Sequence, residues 1–321
     1  MAESGEKMSK SLGNSVEPEE IIRQSGAEII RLWVAVVDSA EDQRIGPAIL
    51  QTTTDAYRRL RNTLRYLLGA LEGFSESERI PVADLPPLER YMLHRLYELD
   101  RQVRSAYEDY RFSEVLRPVV EFCGGDLSAF YLDIRKDSLY CDGADAPRRR
   151  AARTLMDLSF ERLTAWLGPI APFTTEEAYA TRWPSGGPNA LRRLPLPEAD
   201  WRDEAGAARW SLVRSGLETV NGALETARRD KLLGAALEAD VALAAPPAVI
   251  RAFDGLDAAE IFRTSAARLI EGGRGAEVSR ALGEKCERCW RVLPEVELPR
   301  ALCLRCADVL ERGVGAGGAA S

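Results

Sequence analysis

Ala56-Tyr57-Arg58-Arg59-Leu60-Arg61-Asn62-Thr63-Leu64-Arg65-Tyr66-Leu67-Leu68-Gly69 carries a single apolar stripe, Tyr57, Leu60, Leu64 and Leu67, extended by Leu71, at spacings of three and four. That is the period of a helix with one buried face. Met92, Leu96, Leu99, Val103, Ala106 and Tyr110 repeat it, as do Trp210, Val213, Leu217, Val220, Leu224 and Ala227. Between these, Phe112 to Tyr140 is apolar and aromatic, with Leu116, Val119, Phe122, Leu127, Phe130, Tyr131 and Ile134 as candidate core. Gly124-Gly125 within it is expected to weaken or bend a helix by about 1 kcal/mol per glycine relative to alanine. A further helix is expected from Pro147 to Leu167, and Thr174 with Glu177 reads as a capping box opening a short one. The expected fold class is therefore mainly α, built on a helical bundle.

Upstream of the bundle, Pro18, Glu19 and Glu20 make a helix start that Gly26 closes, and Ala27 to Val37 forms a second apolar segment. A polar run, 38–44, and a Gly46-Pro47 turn follow. Downstream, 184–200 is rich in Pro, Gly and Asn and reads as a loop. Beyond Glu238 the pattern changes to a small α/β module. Val241 and Leu243 alternate as a strand, Ala248 to Phe253 suggests a helix, and strands are expected over 262–271 and 277–282 around Gly272-Gly273-Arg274-Gly275. The Gly- and Ala-rich stretch 313–321 is expected to be disordered.

Composition narrows the class. With 321 residues, 45% hydrophobic and 29% charged, the chain is that of a soluble globular protein with two or three domains. No apolar run approaches the roughly 18 residues that span a bilayer, the start is not a secretory signal, and a cytoplasmic protein is expected. A net charge of -7 argues against a generally nucleic-acid-coated surface. Two basic patches, Arg58, Arg59, Arg61 and Arg65, then Arg148, Arg149, Arg150 and Arg153, read first as solvated helix faces. The one histidine, His94, excludes chemistry needing two. It falls off the apolar stripe of its helix and is expected to be exposed or half-buried.

Two stretches carry chemistry. Lys7-Met8-Ser9-Lys10-Ser11 sets two ammonium groups and two hydroxyls in a loop between Gly5 and Gly13, suited to an anionic ligand. Cys286-Glu287-Arg288-Cys289 and Cys303-Leu304-Arg305-Cys306 are two Cys-x-x-Cys knuckles separated by 13 residues. Each turns two thiolates toward one point, and together Cys286, Cys289, Cys303 and Cys306 would close one structural, tetrahedral zinc site with no position for an activated water. Cys123 and Cys141 lack paired spacing and read as small buried residues. Trp290 follows the second ligand, with Arg288, Arg291 and Arg305 nearby. Its indole either stacks on an unpaired RNA base or covers the knuckle, and the sequence leaves both readings open.

Taken together these residues resemble the C-terminal portion of the bacterial isoleucyl-tRNA synthetases, of class I. The resemblance rests on Lys7 to Asn14, Arg31-Leu32-Trp33-Val34-Ala35, the quoted Ala56 to Gly69 helix, Phe130-Tyr131-Leu132-Asp133-Ile134-Arg135-Lys136-Asp137 and the Cys286 to Cys306 ribbon with Trp290. Gly124-Gly125 departs from the family's usual residues. The resemblance implies a ligase that forms isoleucyl-adenylate from ATP and isoleucine and passes the acyl group to tRNA. It gives Lys10 the role of binding ATP as substrate, with Lys7 supporting it, and makes Trp290 and Arg288 candidate tRNA contacts. It divides the chain into 1–46, the signature loop and connecting module of the catalytic domain; 47–200, a helical anticodon-binding domain; 201–280, a helix and α/β module; 281–312, the zinc ribbon; and 313–321, the tail. The family's catalytic sheet, its His-x-Gly-His type motif and its editing domain have no counterpart here, so the chain alone is expected not to aminoacylate. A frayed, solvated loop at Lys7 and Lys10 and a monomeric state are further expectations. The other class of reading is a stand-alone, non-catalytic tRNA-binding zinc protein.

Overall fold

The computed structural model describes residues 1–37, 42–297 and 299–317. In chain order its helices are α1 (Pro18–Ser25), α2 (Ala27–Val36), α3 (Pro47–Ala70), α4 (Pro87–Glu108), α5 (Ser113–Glu121), α6 (Asp133–Cys141), α7 (Pro147–Leu167), α8 (Pro172–Arg182) and α9 (Glu204–Arg229). Then come β1 (Ala239–Ala245), α10 (Pro247–Ala252), α11 (Ala258–Phe262), β2 (Ala266–Glu271), β3 (Gly275–Arg280), β4 (Glu284–Lys285), β5 (Val292–Leu293) and α12 (Leu304–Gly317). Interleaved segments form two compact units. One takes Met1–Ala83, Met92–Phe130 and Arg153–Arg202; the other takes Asp84–Tyr91, Tyr131–Ala152 and Asp203–Ser321. α12 extends into the tail expected to lack structure, while 318–321, like 38–41 of the polar run, lie outside the described residues.

In the first unit the helical periodicity holds except at Tyr110, which lies past the end of α4 in the left-handed region and is exposed. Leu60, Leu64, Leu67 and Leu71 of the opening stripe are buried, as are Met92, Leu96, Leu99, Val103 and Ala106 of α4. α3 begins as its sequence dictates, with Pro47 in the first turn, where the missing N–H costs nothing. His94 departs from expectation: it is buried, as is its neighbour Leu93. α4 is covered on more than the face its stripe marks, so falling off the stripe did not mean facing water. The Gly124-Gly125 pair does not break the chain's helical path. Phe122–Leu132 is a π-helical stretch between α5 and α6, a wider turn that glycine's backbone freedom accommodates.

The start of α8 corrects the capping box. The helix begins at Pro172 after an N-cap, Ala171, whose side chain caps nothing. Glu28 of α2 supplies the missing acceptor, its Oε1 taking the amide of Phe173 at 2.8 Å. Thr174 instead pairs its hydroxyl with that of Tyr57 at 2.9 Å, and Glu177 lies 3.5 Å from Arg61. Burial raises the Glu28 carboxyl above its ordinary value, against the hydrogen bonds that favour its charged form. A carboxyl whose folded pKa is raised contributes its stability below the unfolded value and loses it as pH rises through the folded value. Glu28→Gln, which keeps the acceptor and removes the charge, is therefore expected to gain stability relative to the parent between pH 4 and 7. Urea unfolding at the two pH values measures this; a parent chain that gains on the variant as pH rises refutes it.

In the second unit α9 presents Trp210, Val213, Leu217, Val220, Leu224 and Ala227 to the interior, as its stripe requires, and Asp203 caps it by accepting from the Gly206 amide at 2.9 Å. Gly216 lets this helix approach the sheet: a Cβ there would come within 3.1 Å of both Leu243 and Phe253. β1 is the centre of a three-stranded sheet, parallel to β2 and antiparallel to β3. The expected strand over 262–271 begins only at Ala266. Asp257 caps the Glu260 amide and starts α11, which Arg263 ends in the left-handed region at φ +57°. A buried ion cluster ties the unit together. Arg135 of α6 binds Glu89 of α4 with two hydrogen bonds of 2.7 Å, Tyr131 donates to the same carboxylate at 2.9 Å, and Glu260 of α11 accepts from Arg135 at 2.7 Å.

Candidate metal centre and nucleic-acid interface

The short strands β4 and β5 form a hairpin that carries the first cysteine knuckle at its turn. Trp290 returns its amide to the Cys286 carbonyl at 2.9 Å, and Cys286 donates its own amide to the Arg291 carbonyl at 2.9 Å. The second knuckle leads into α12, where the Ala307 amide reaches the Cys303 carbonyl at 2.9 Å. Backbone turns of this kind pull both ligands of a pair toward one point. All four Sγ atoms lie within 4.8 Å of one another and all four cysteines are buried. Sγ of Cys289 and Cys303 are 3.8 Å apart, the edge of a tetrahedron of thiolates about 2.3 Å from a central zinc.

Charge supports the same occupant. Burial raises the Cys289 thiol and pushes Cys306 up to about 12. At Cys286 burial pulls the same way, but backbone amides, among them that of Cys303 at 3.4 Å, bring it down to about 6. Thiols crowded in so dry a cluster do not ionise together without a cation, so the donor set fits a divalent metal that displaces their protons.

Around the cluster the structure sorts the sequence candidates. Trp290 is 60% exposed at φ +66°, so it does not cover the knuckle; the Lys285 ammonium lies 5.8 Å from its ring centre. The three arginines do not flank it as free cations. Arg288 donates to the Cys141 carbonyl at 2.7 Å and the Tyr140 carbonyl at 3.3 Å. Arg291 donates to the Ser265 carbonyl at 2.8 Å, and Arg305 grips Asp137 at 2.7 Å. A cavity of about 560 Å³ opens beside Trp290, with Lys136, Arg228 and Arg263 on its wall. Nothing in the spacing of the cysteines announced this cavity, because its walls come from segments far apart in sequence.

Lys7 and Lys10 lie in the first unit, exposed and without an ion-pair partner among the described residues. Their loop is not frayed. Ser9 donates its amide to Asn14 Oδ1 at 2.9 Å and accepts the Leu12 amide at 3.3 Å, while Gly13 closes the turn at φ +65°. Asn14 also donates to the Lys7 carbonyl at 3.4 Å. Of the basic patches, Arg59 and Arg65 stand exposed on α3, whereas Arg148 is bonded to Asp142 and Glu260, and Arg153 to Glu78 and the Glu72 carbonyl. The second patch is largely structural.

Comparison with known proteins decides the family. The zinc finger found in FPG and IleRS matches residues 283–309, which contain all four cysteines, and the anticodon-binding domain of tRNA ligase matches residues 89–243. The class I tRNA synthetases (I, L, M and V) match residues 1–46. The isoleucine–tRNA ligase of Caulobacter vibrioides is 56% identical over 97% of this chain. The chain belongs with the C-terminal portion of the isoleucine–tRNA ligases. Those of Gluconobacter oxydans and Zymomonas mobilis are 48% and 44% identical over 97% and 95% of it. The chain spans about a third of the length of these relatives, 34%, 33% and 33%. Within the ligase family's zinc finger, Cys286, Cys289, Cys303 and Cys306 constitute a structural zinc site, with four thiolates and no open coordination position. Among the described residues no helix is long and apolar enough to cross a membrane.

Proposed function

We propose that this chain is the tRNA-engaging portion of a cytoplasmic, monomeric isoleucine–tRNA ligase, which makes isoleucyl-adenylate from ATP and isoleucine and transfers the acyl group to tRNA. The observation that carries this reading is the exposed Trp290 held at the zinc knuckle, in a chain whose helical body matches an anticodon-binding domain. An indole face takes an unpaired base of any identity; the cations on the wall beside it are paired, Lys136 and Arg263 with Asp133 and Arg228 with Glu225, so the stack rather than the wall carries the contact. Arg288 contributes indirectly, because its guanidinium is already committed to backbone carbonyls.

At the other site, Lys7 and Lys10 present two ammonium groups on a hydrogen-bonded loop. In the intact ligase Lys10 would bind ATP with Lys7 in support. As a carboxylate attacks the α-phosphoryl group, negative charge gathers there, and a loop that brings two cations to it stabilises that charge more than it stabilises bound ATP. The chain holds one histidine, the buried His94, and so carries no His-x-Gly-His type motif to work with that loop. The chain alone is accordingly proposed to bind tRNA without charging it.

Trp290→Ala tests the reading. It is expected to weaken binding of isoleucine tRNA to the zinc-loaded chain by about 5- to 100-fold, the loss of one base stack, with zinc content unchanged. Equal affinity of parent and variant would remove Trp290 from the interface.

A further inference from the structure

Both knuckles read Cys-x-Arg-Cys, with an arginine immediately before the second ligand: Arg288 before Cys289 and Arg305 before Cys306. When the flanking thiolates turn in to one metal, the side chain between them is turned out. In this protein both guanidiniums are turned onto the same target, the C-terminal end of α6. Arg288 takes the carbonyls of Tyr140 and Cys141, two of the acceptors that a helix leaves unpaired in its last turn. Arg305 takes Asp137 with both ends of its fork, and Asp142 at 3.1 Å. Two carboxylates and the negative end of the helix dipole thus face two cations. Arg148 binds Asp142 from the other side at 3.0 Å, holding the acceptor in place. Underneath, Cys141 is 4% exposed and packs with the four ligands in one buried cluster.

We infer that the two arginines form a zinc-set latch, in which the metal fixes the pair of knuckles and the knuckles clamp the ribbon onto the end of α6. The zinc is then more than a local staple. It sets where the ribbon, and Trp290 on it, is held, and Arg288 and Arg305 act as positioning residues. The inference rests on the zinc site and not on the proposed binding of tRNA, so its test reads no RNA.

Cys141 reports the latch, because the ribbon covers its thiol. The measurement is the alkylation rate of Cys141 in the zinc-loaded full chain, followed residue by residue by mass spectrometry. Cys123, buried in the other unit, serves as the internal control. In the parent chain Cys141 is expected to react slowly, and to become reactive when zinc is removed. Arg288→Gln with Arg305→Gln is expected to keep one zinc per chain yet raise the Cys141 rate on the order of tenfold or more, as charge-assisted hydrogen bonds are lost, with Cys123 still protected. Asp137→Asn makes the same test with the ribbon sequence intact, and carries it if the double variant fails to load zinc. Parent-like protection of Cys141 in zinc-loaded Asp137→Asn and in the double variant would overturn the latch, as would protection that survives complete removal of zinc.

Discussion

Chelation of zinc is expected to unfold the ribbon, residues 283–309, while the α3 and α7 helices keep their structure. Among its described residues the ribbon has little core besides its ligands. Among them the buried aliphatic side chains are Val296, Ala301 and Ala307, two of them only methyl groups, with Leu293 and Leu302 partly covered. Its two strands are two residues each. Such a segment cannot offset the entropy of its own ordering, and structural zinc supplies about 10–16 kcal/mol of apparent binding free energy in comparable peptides. Hydrogen exchange by region, before and after chelation, measures the effect alongside a metal assay. Loss of amide protection confined to the ribbon and the end of α6 is the expected result. Protection of 283–309 that persists in fully zinc-free chain would show that the ribbon folds without its metal.

The second large effect is expected at Glu89. This carboxylate is fully buried, holds Arg135 by two parallel hydrogen bonds and accepts the hydroxyl of Tyr131. Glu89→Ala leaves a buried guanidinium with only Glu260 to answer it, and breaking a buried pair from one side costs about 3–5 kcal/mol. Replacing both partners, Glu89→Met with Arg135→Met, removes the stranded charge and should cost less than Glu89→Ala alone. Urea midpoints of the parent, the single and the double variant give the comparison. A single variant within about 1 kcal/mol of the parent would mean that water or relaxation reaches this site and that the pair does not tie the unit together.

The parts of this molecule that follow from local rules were legible in its sequence. Leu60, Leu64, Leu67 and Leu71 line one face because a helix repeats every 3.6 residues, and Pro147 opens α7 because its ring suits a first turn. The four cysteines were legible for the same reason, since a knuckle is a local turn. What the sequence concealed depends on partners distant along the chain. The amide of Phe173 finds its cap in Glu28, 145 residues away, so the nearby Thr174 and Glu177 pointed to the wrong acceptor. His94 is buried because α4 is covered beyond its stripe. Arg288 reads in the sequence as a candidate contact for RNA, and what the sequence does not show is that two of its N–H groups go to the end of α6, 147 residues away. The one available signal was the repeated Cys-x-Arg-Cys, which sets both arginines at the same place in their knuckles.

The proposed function requires that this chain build a zinc-ordered surface for tRNA. Equilibrium binding of isoleucine tRNA to the purified chain, zinc-loaded and chelated side by side at fixed salt, tests it most directly. Binding by the zinc-loaded chain that falls when the metal is removed is the predicted result. No binding above that of an unrelated RNA, or an affinity indifferent to zinc, would contradict it.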